Sequence, residues 1–120
     1  MNTEKRPVIL DCDPGIDDAV ALLLAARAPE LDLRAVTVVA GNVGLAHTSR
    51  NALRVLTLAG VEVPVCAGAS GPLFGPVVTA DEVHGADGLL GLPVPEPAFP
   101  LSEEPAWDAL YREARAWGGA

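Results

Sequence analysis

Apolar positions fall into two alternating patterns over the first half of the chain. Pro7 to Cys12 (PVILDC) is a short, continuous, β-branched run after a charged start, and this predicts a strand buried on both faces, as in a parallel sheet. Pro14-Gly15 breaks it. Ile16 to Ala28 is rich in Ala and Leu and is followed by Pro29, which predicts a helix ending at that proline. Leu33 to Ala40 (LRAVTVVA) predicts a second strand, closed by Gly41-Asn42. Leu45 to Ala59 places Leu45, Ala52, Leu53, Leu56 and Ala59 on one stripe, with Gly60 where a helix-terminating glycine belongs. Val61 to Cys66 (VEVPVC) predicts a third strand. Strands alternating with helices through short joins define an α/β fold, an open and mainly parallel sheet with flanking helices.

The pattern is lost from Gly68 to Pro100, where glycine and proline accumulate and no period of 2 or 3.6 holds. A stretch of that length in a compact domain is expected to build a site or a lid. A last helix is expected from Glu103 to Trp117, capped by Ser102, with Pro105 in its first turn. Trp107 and Trp117 are expected to be packing residues, and His47 to face solvent.

The 120 residues suffice for one domain with a modest core and not for two. Sixteen acids against eight bases give a net charge of −8, which leaves no basic stripe to meet nucleic acid or an anionic membrane. No apolar run is long enough for a signal peptide or a membrane span, so a cytoplasmic protein is expected. Cys12 and Cys66 are isolated in apolar runs and are expected to be buried, reduced thiols.

The chemistry is concentrated in Asp11-Cys12-Asp13-Pro14-Gly15-Ile16-Asp17-Asp18, four carboxylates within eight residues. Asp11 and Asp13 share the i, i+2 face of a strand end, and Asp17 and Asp18 fall in the first helical turn. The expectation is that all four converge beyond the carboxyl end of the strand, where open α/β sheets bind ligands. Two like charges about 4 Å apart repel by roughly 4 kcal/mol at an effective dielectric near 20. A helix amino terminus offsets only about 0.3–1 kcal/mol of that. The balance calls for a cation or for a protonated member of the cluster. No Lys or Arg lies between Arg6 and Arg27, so a metal is the simpler answer. An all-oxygen donor set favours calcium or magnesium over zinc. Asp17 and Asp18 on their own would read as ordinary partners of the helix dipole.

DCDPGIDDAVALLLA resembles the opening of the inosine–uridine-preferring nucleoside hydrolases, whose pattern is DxDPGxDDAxALxxA. VTVVAGNVGLAHTSRNALRVLTLAG, VPVCAGASGPL and HGADGLLG follow in that family's order, so the likeness runs along nearly the whole chain. The resemblance implies a Rossmann-like nucleoside hydrolase fold, of which residues 1–120 form the amino-terminal part. It also implies calcium-dependent hydrolysis of the N-glycosidic bond of ribonucleosides such as inosine or uridine. In that family a calcium ion (Ca2+) grips the ribose 2′ and 3′ hydroxyls and a water. Asp13 and Asp18 match its metal-binding carboxylates, and Asp13 also matches the general base. Asp11 matches a supporting acid at the metal, and Asp17 and Asn42 match ribose contacts. Asn42 has a plainer reading as a strand-to-helix loop residue. His84 matches a segment near the nucleobase, against the plainer reading of a surface loop residue.

Family members are usually more than twice this length and homo-oligomeric. Their later parts carry a GPLTN-like motif, a carbonyl ligand for the metal, further sugar-binding residues and a terminal His-Asp pair. The expectation from this chain is therefore either a hydrolase in its full-length context or a catalytically incomplete module that binds calcium and ribose. Haloacid dehalogenase phosphotransferases also open with DxD after a strand. They favour DxDxT, whereas Pro14-Gly15 stands here.

Overall fold

The computed structural model describes residues 4–118. Three strands, β1 (Arg6–Cys12), β2 (Leu31–Val38) and β3 (Val65–Ala67), form a parallel sheet in the order β1-β2-β3. The helices are α1 (Ile16–Arg27), α2 (Leu45–Ala59), the one-turn α3 (Asp81–His84) and α4 (Ala106–Trp117). This is the α/β architecture that the apolar pattern predicts.

Side-chain alternation along the strands assigns the two faces of the sheet. Leu10 and Cys12 of β1, Val36 and Val38 of β2 and Val65 of β3 join one core with Leu22 of α1 and Ala52, Leu53, Val55 and Leu56 of α2. Cys66, one position on from Val65, belongs instead to a second cluster with Ala106 and Ala109 of α4. Helices α1 and α2 therefore cover one face and α4 the other. Full burial of a side chain such as Leu22 or Leu56 contributes roughly 1.5–3 kcal/mol. Both cysteines are free and buried.

Helix α1 stops at Arg27 because Ala28, which precedes Pro29, is extended (φ −67°, ψ 121°). Helix α2 ends at Gly60 in the left-handed region (φ 73°), and the Gly60 N–H donates back to the last turn. The expected stripe of α2 is buried, apart from half-buried Leu45, and His47 faces solvent.

Three expectations are corrected. The third strand runs over Val65–Ala67 rather than from Val61, since Pro64 has no N–H to give to a ladder. The carbonyl of Pro64 still accepts from the Val36 N–H at 2.9 Å. The last helix begins at Ala106 rather than Glu103. Ser102 Oγ accepts from the Glu104 N–H in a turn, and Pro105 takes the capping position with no side-chain bond. Trp107 and Trp117 are both exposed rather than packed, although Arg34 covers one side of Trp117, its guanidinium 5.3 Å from the ring centroid. No helix among the described residues is long and apolar enough to cross a membrane.

Candidate functional site at the carboxyl end of β1

The site forms where β1 ends and the chain turns into α1. Cys12 is the last residue of β1, so Asp13 lies just past the sheet, and Pro14-Gly15 reverses the chain into Ile16. Asp18, in the first turn of α1, reaches back so that its Oδ2 accepts from the Asp13 N–H at 2.9 Å. Asn42 approaches from the loop after β2. Its N–H donates to Asp13 Oδ2 at 2.9 Å, and its Nδ2 donates to the Asp13 carbonyl at 3.0 Å. Asn42 therefore fixes both the carboxylate and the backbone of Asp13. A side chain at Gly41 would overlap the Asp13 carboxylate, so this close approach depends on the glycine.

Asp13, Asp18 and Asn42 are thus brought together, each half-buried. Asp11 and Asp17 are exposed. The expected convergence of four carboxylates is not seen. Asp11 pairs in register with Thr37, whose hydroxyl donates to Asp11 Oδ1 at 2.5 Å. Its register places it on the face covered by α4, whereas Asp18 rides on α1, which packs the opposite face. The i, i+2 relation between Asp11 and Asp13 also lapses because Asp13 is outside the strand. Among the described residues, no three His, Cys, Asp or Glu side chains are grouped to hold one metal ion.

The charges still feel one another. Burial pushes the Asp18 carboxyl above its ordinary value, and the negative charges of Asp17 and Asp13 add to this. Burial, reinforced by Asp18, Asp11 and Asp13, pushes the Cys12 thiol up to about 12, which makes it a protonated spectator. A pair of crowded, oxygen-only carboxylates is the donor chemistry of a hard cation. Calcium takes roughly six to eight oxygens, so Asp13 and Asp18 fit it as one part of a coordination shell. A shallow cavity of about 380 Å³, lined in part by Ala40, Gly41, Ala69, Pro72 and Val77, opens beside the Asn42 turn.

His84 is buried, which neither of its sequence readings anticipates. Its Nδ1 accepts from the Ile16 N–H at 3.0 Å, at the start of α1. Asn51, not singled out from the sequence, is buried in α2 and donates to the carbonyls of Pro14 at 3.1 Å and Asp87 at 2.7 Å. The available signal was a polar residue at apolar spacing, between Thr48 and Val55 on the buried stripe.

A parallel sheet with two carboxylates and an Asn gathered beyond its strand ends defines an α/β protein, with its candidate site at the carboxyl edge where such sheets bind ligands. Residues 8–119 match the model of the inosine-uridine preferring nucleoside hydrolase family, and the chain belongs to that family. It is 56% identical over 95 residues to the pyrimidine-specific ribonucleoside hydrolase RihA of Photobacterium profundum, an alignment covering 78% of this chain and 31% of that protein. It is 52% identical over 94 residues to RihA of Escherichia coli O139:H28, covering 78% and 30% respectively. The fold superimposes on a purine-preferring ribonucleoside hydrolase from Gardnerella vaginalis with a TM-score of 0.87 at 29% identity, over 93% of this chain and 37% of that one. A plant nucleoside hydrolase, PpNRh1, gives 0.82 at 37% identity, over 93% and 36%. The chain spans about a third of the length of the relatives it matches.

Proposed function

We propose that this chain supplies the metal- and ribose-facing part of a ribonucleoside hydrolase, which converts a nucleoside and water into ribose and free base. The interlock of Asp13, Asp18 and Asn42 at the end of β1 carries this reading, within a family match over residues 8–119. In the reaction, water oxygen bonds to the anomeric carbon, and the bond to the base nitrogen breaks with its electron pair leaving on the base. Asp13 is the general base and takes a proton from that water. Asn42 holds one carboxylate oxygen and the backbone of Asp13, so the base keeps one orientation. The negative charges of Asp13, Asp17 and Asp18 stabilise the positive charge that develops on the sugar ring. Asp17, exposed beside the pair, is assigned to a ribose hydroxyl, and Asn42 to a second sugar contact. Calcium, held by Asp13 and Asp18, would acidify a bound water and fix the sugar diol, while Asp11, bonded to Thr37 on the α4 side of the sheet, stands apart from the pair.

The relatives of highest identity above are named as pyrimidine-specific, which favours uridine or cytidine over a purine nucleoside. A cytoplasmic setting and a homo-oligomeric full-length protein belong to the same reading.

A second reading is favoured by a different observation. With two carboxylates together and no third ligand grouped with them among the described residues, the chain alone would hold calcium weakly and turn nothing over. Release of free ribose from uridine and inosine by the purified chain, with calcium and with excess chelator, separates the two. Calcium-dependent release supports the hydrolase in this chain by itself. Calcium binding without release supports the incomplete module. Neither binding nor release contradicts both.

A further inference from the structure

We propose that His84 is a positioning residue, which holds the start of α1 so that Asp18 and Asp13 keep their mutual geometry. The inference rests on the reading of Asp13 and Asp18 as the working pair. The first N–H groups of a helix have no partner within it, and Gly15, in the capping position before α1, brings no side-chain cap. The Ile16 N–H is one of these orphans. It finds its acceptor in a residue 68 positions away, His84 Nδ1. The imidazole lies so close over Gly15 that any side chain there would overlap it, so the glycine admits the ring. Accepting at Nδ1 means that the ring proton sits on Nε2. While this bond stands, Nδ1 has no capacity left to contact a nucleobase.

The rest of the same segment reaches the acid turn from other sides. The Ala80 N–H donates to the Asn42 carbonyl at 2.8 Å, and Asn42 in turn holds Asp13. The Asp87 carbonyl shares Asn51 Nδ2 with the Pro14 carbonyl, which ties the loop, α2 and the Pro14-Gly15 turn together. Asp87 Oδ1 accepts from the N–H groups of Leu89 and Gly91, and the Leu90 N–H returns to the His84 carbonyl at 2.8 Å. These bonds close the loop on itself and hold the imidazole in place. Gly88 sits at φ +88° against the Asn51 amide, a position with no room for a side chain. The segment from Ala80 to Gly91 is thus a clasp over the turn that places the two acids.

The test uses the 120-residue chain as wild type, His84→Ala and His84→Asn, since an Asn side-chain oxygen can take the acceptor role of Nδ1. Backbone amide exchange and the imidazole nitrogen shifts are read by NMR, followed by a titration with calcium alone. The expected wild type has the Nε2–H tautomer and slow exchange at Ile16 and Asp13. His84→Ala should speed both amides roughly tenfold, the factor that one net hydrogen bond represents, and leave Val36 in β2 unchanged. Calcium affinity should fall by about tenfold. His84→Asn should restore all three. Unchanged Asp13 exchange in His84→Ala, an Nδ1–H tautomer in the wild type, or failure of Asn to rescue would each overturn the proposal. If His84→Ala does not fold, the wild-type tautomer and the His84→Asn variant decide. Absence of calcium binding by the wild type would refute the metal-pair reading and leave the exchange result standing.

Discussion

Asp18 folds back across five residues to accept the backbone N–H of Asp13, which joins the first turn of α1 to the end of β1 through a part-buried, charged contact. The proton affinity of Asp18 is raised there, chiefly by burial and then by the charges of Asp17 and Asp13. A carboxyl whose pKa is raised by folding binds its proton more tightly in the native state. Metal-free stability should therefore fall as pH rises from the unfolded value of 3.8 through the raised native value, and stay level above it. Asp18→Asn keeps an acceptor for Asp13 and removes the charge. It should stabilise the metal-free chain at pH 7 by about 1 kcal/mol, the scale of a water-screened like-charge contact. With calcium present, the order should invert, because the wild type gains from the ion and the variant does not. Thermal melts with calcium and with chelator check both signs.

Gly41→Ala inserts a methyl group into the Asp13 carboxylate. Relief requires moving Asp13 or the Asn42 loop, at a cost of roughly 1–3 kcal/mol. The expected signature is loss of calcium binding along with a modest drop in urea midpoint. Gly44→Ala, in the same loop, meets open space and should leave calcium binding unchanged.

Neither cysteine should act as a nucleophile. With the Cys12 thiol pushed up to about 12 by burial and by the acids around it, alkylation at pH 8 should be at least about 100-fold slower than in the unfolded chain. Cys66 is shifted upward too, mainly by burial. Mass spectrometry after timed alkylation should find no label in the native chain and two after unfolding in urea.

On the opposite face, Glu113 is buried in α4. It accepts from Arg112 at 2.9 Å and from Trp117 Nε1 at 3.0 Å, and the Arg34 Nε lies 3.6 Å away. Glu113→Ala removes the acceptor and should destabilise the chain by about 2 kcal/mol. A shift in tryptophan emission and unaltered amide exchange at Asp13 are expected, since α4 packs away from the acid turn. Faster exchange at Asp13 would contradict this separation of the two faces.

Local signals explain which parts of this architecture were legible. The runs PVILDC and LRAVTVVA and the stripe of α2 mark β1, β2 and α2, because each element's burial is written in its own spacing, although β2 begins at Leu31 and ends at Val38, two residues earlier at each end than its run. β3 was overextended because hydrophobicity in VEVPVC outweighed the missing N–H of Pro64. Ser102 and two glutamates looked like a helix start, but the chain forms a separate turn before Pro105. The meeting of Asp13 with Asp18 at the Pro14-Gly15 turn was legible from residue type and position, whereas Asn42 stood out only through the family resemblance, its own position reading as a loop residue. The parting of Asp11 from Asp18 was not legible, because it depends on which sheet face each helix covers. His84 was noticed for another reason, and its bond to Ile16 spans 68 positions, beyond any local pattern.

The most direct test of the central claim is nucleoside hydrolysis by a chimera, in which residues 8–119 of this chain, the span of the family match, replace the matching segment of the Escherichia coli relative. Ribose release from uridine is followed with calcium and with chelator. The account predicts calcium-dependent release that Asp13→Asn abolishes by at least about 100-fold, the lower end of what a general base contributes. Release that survives Asp13→Asn, or a folded chimera that binds calcium and leaves uridine intact, would contradict it.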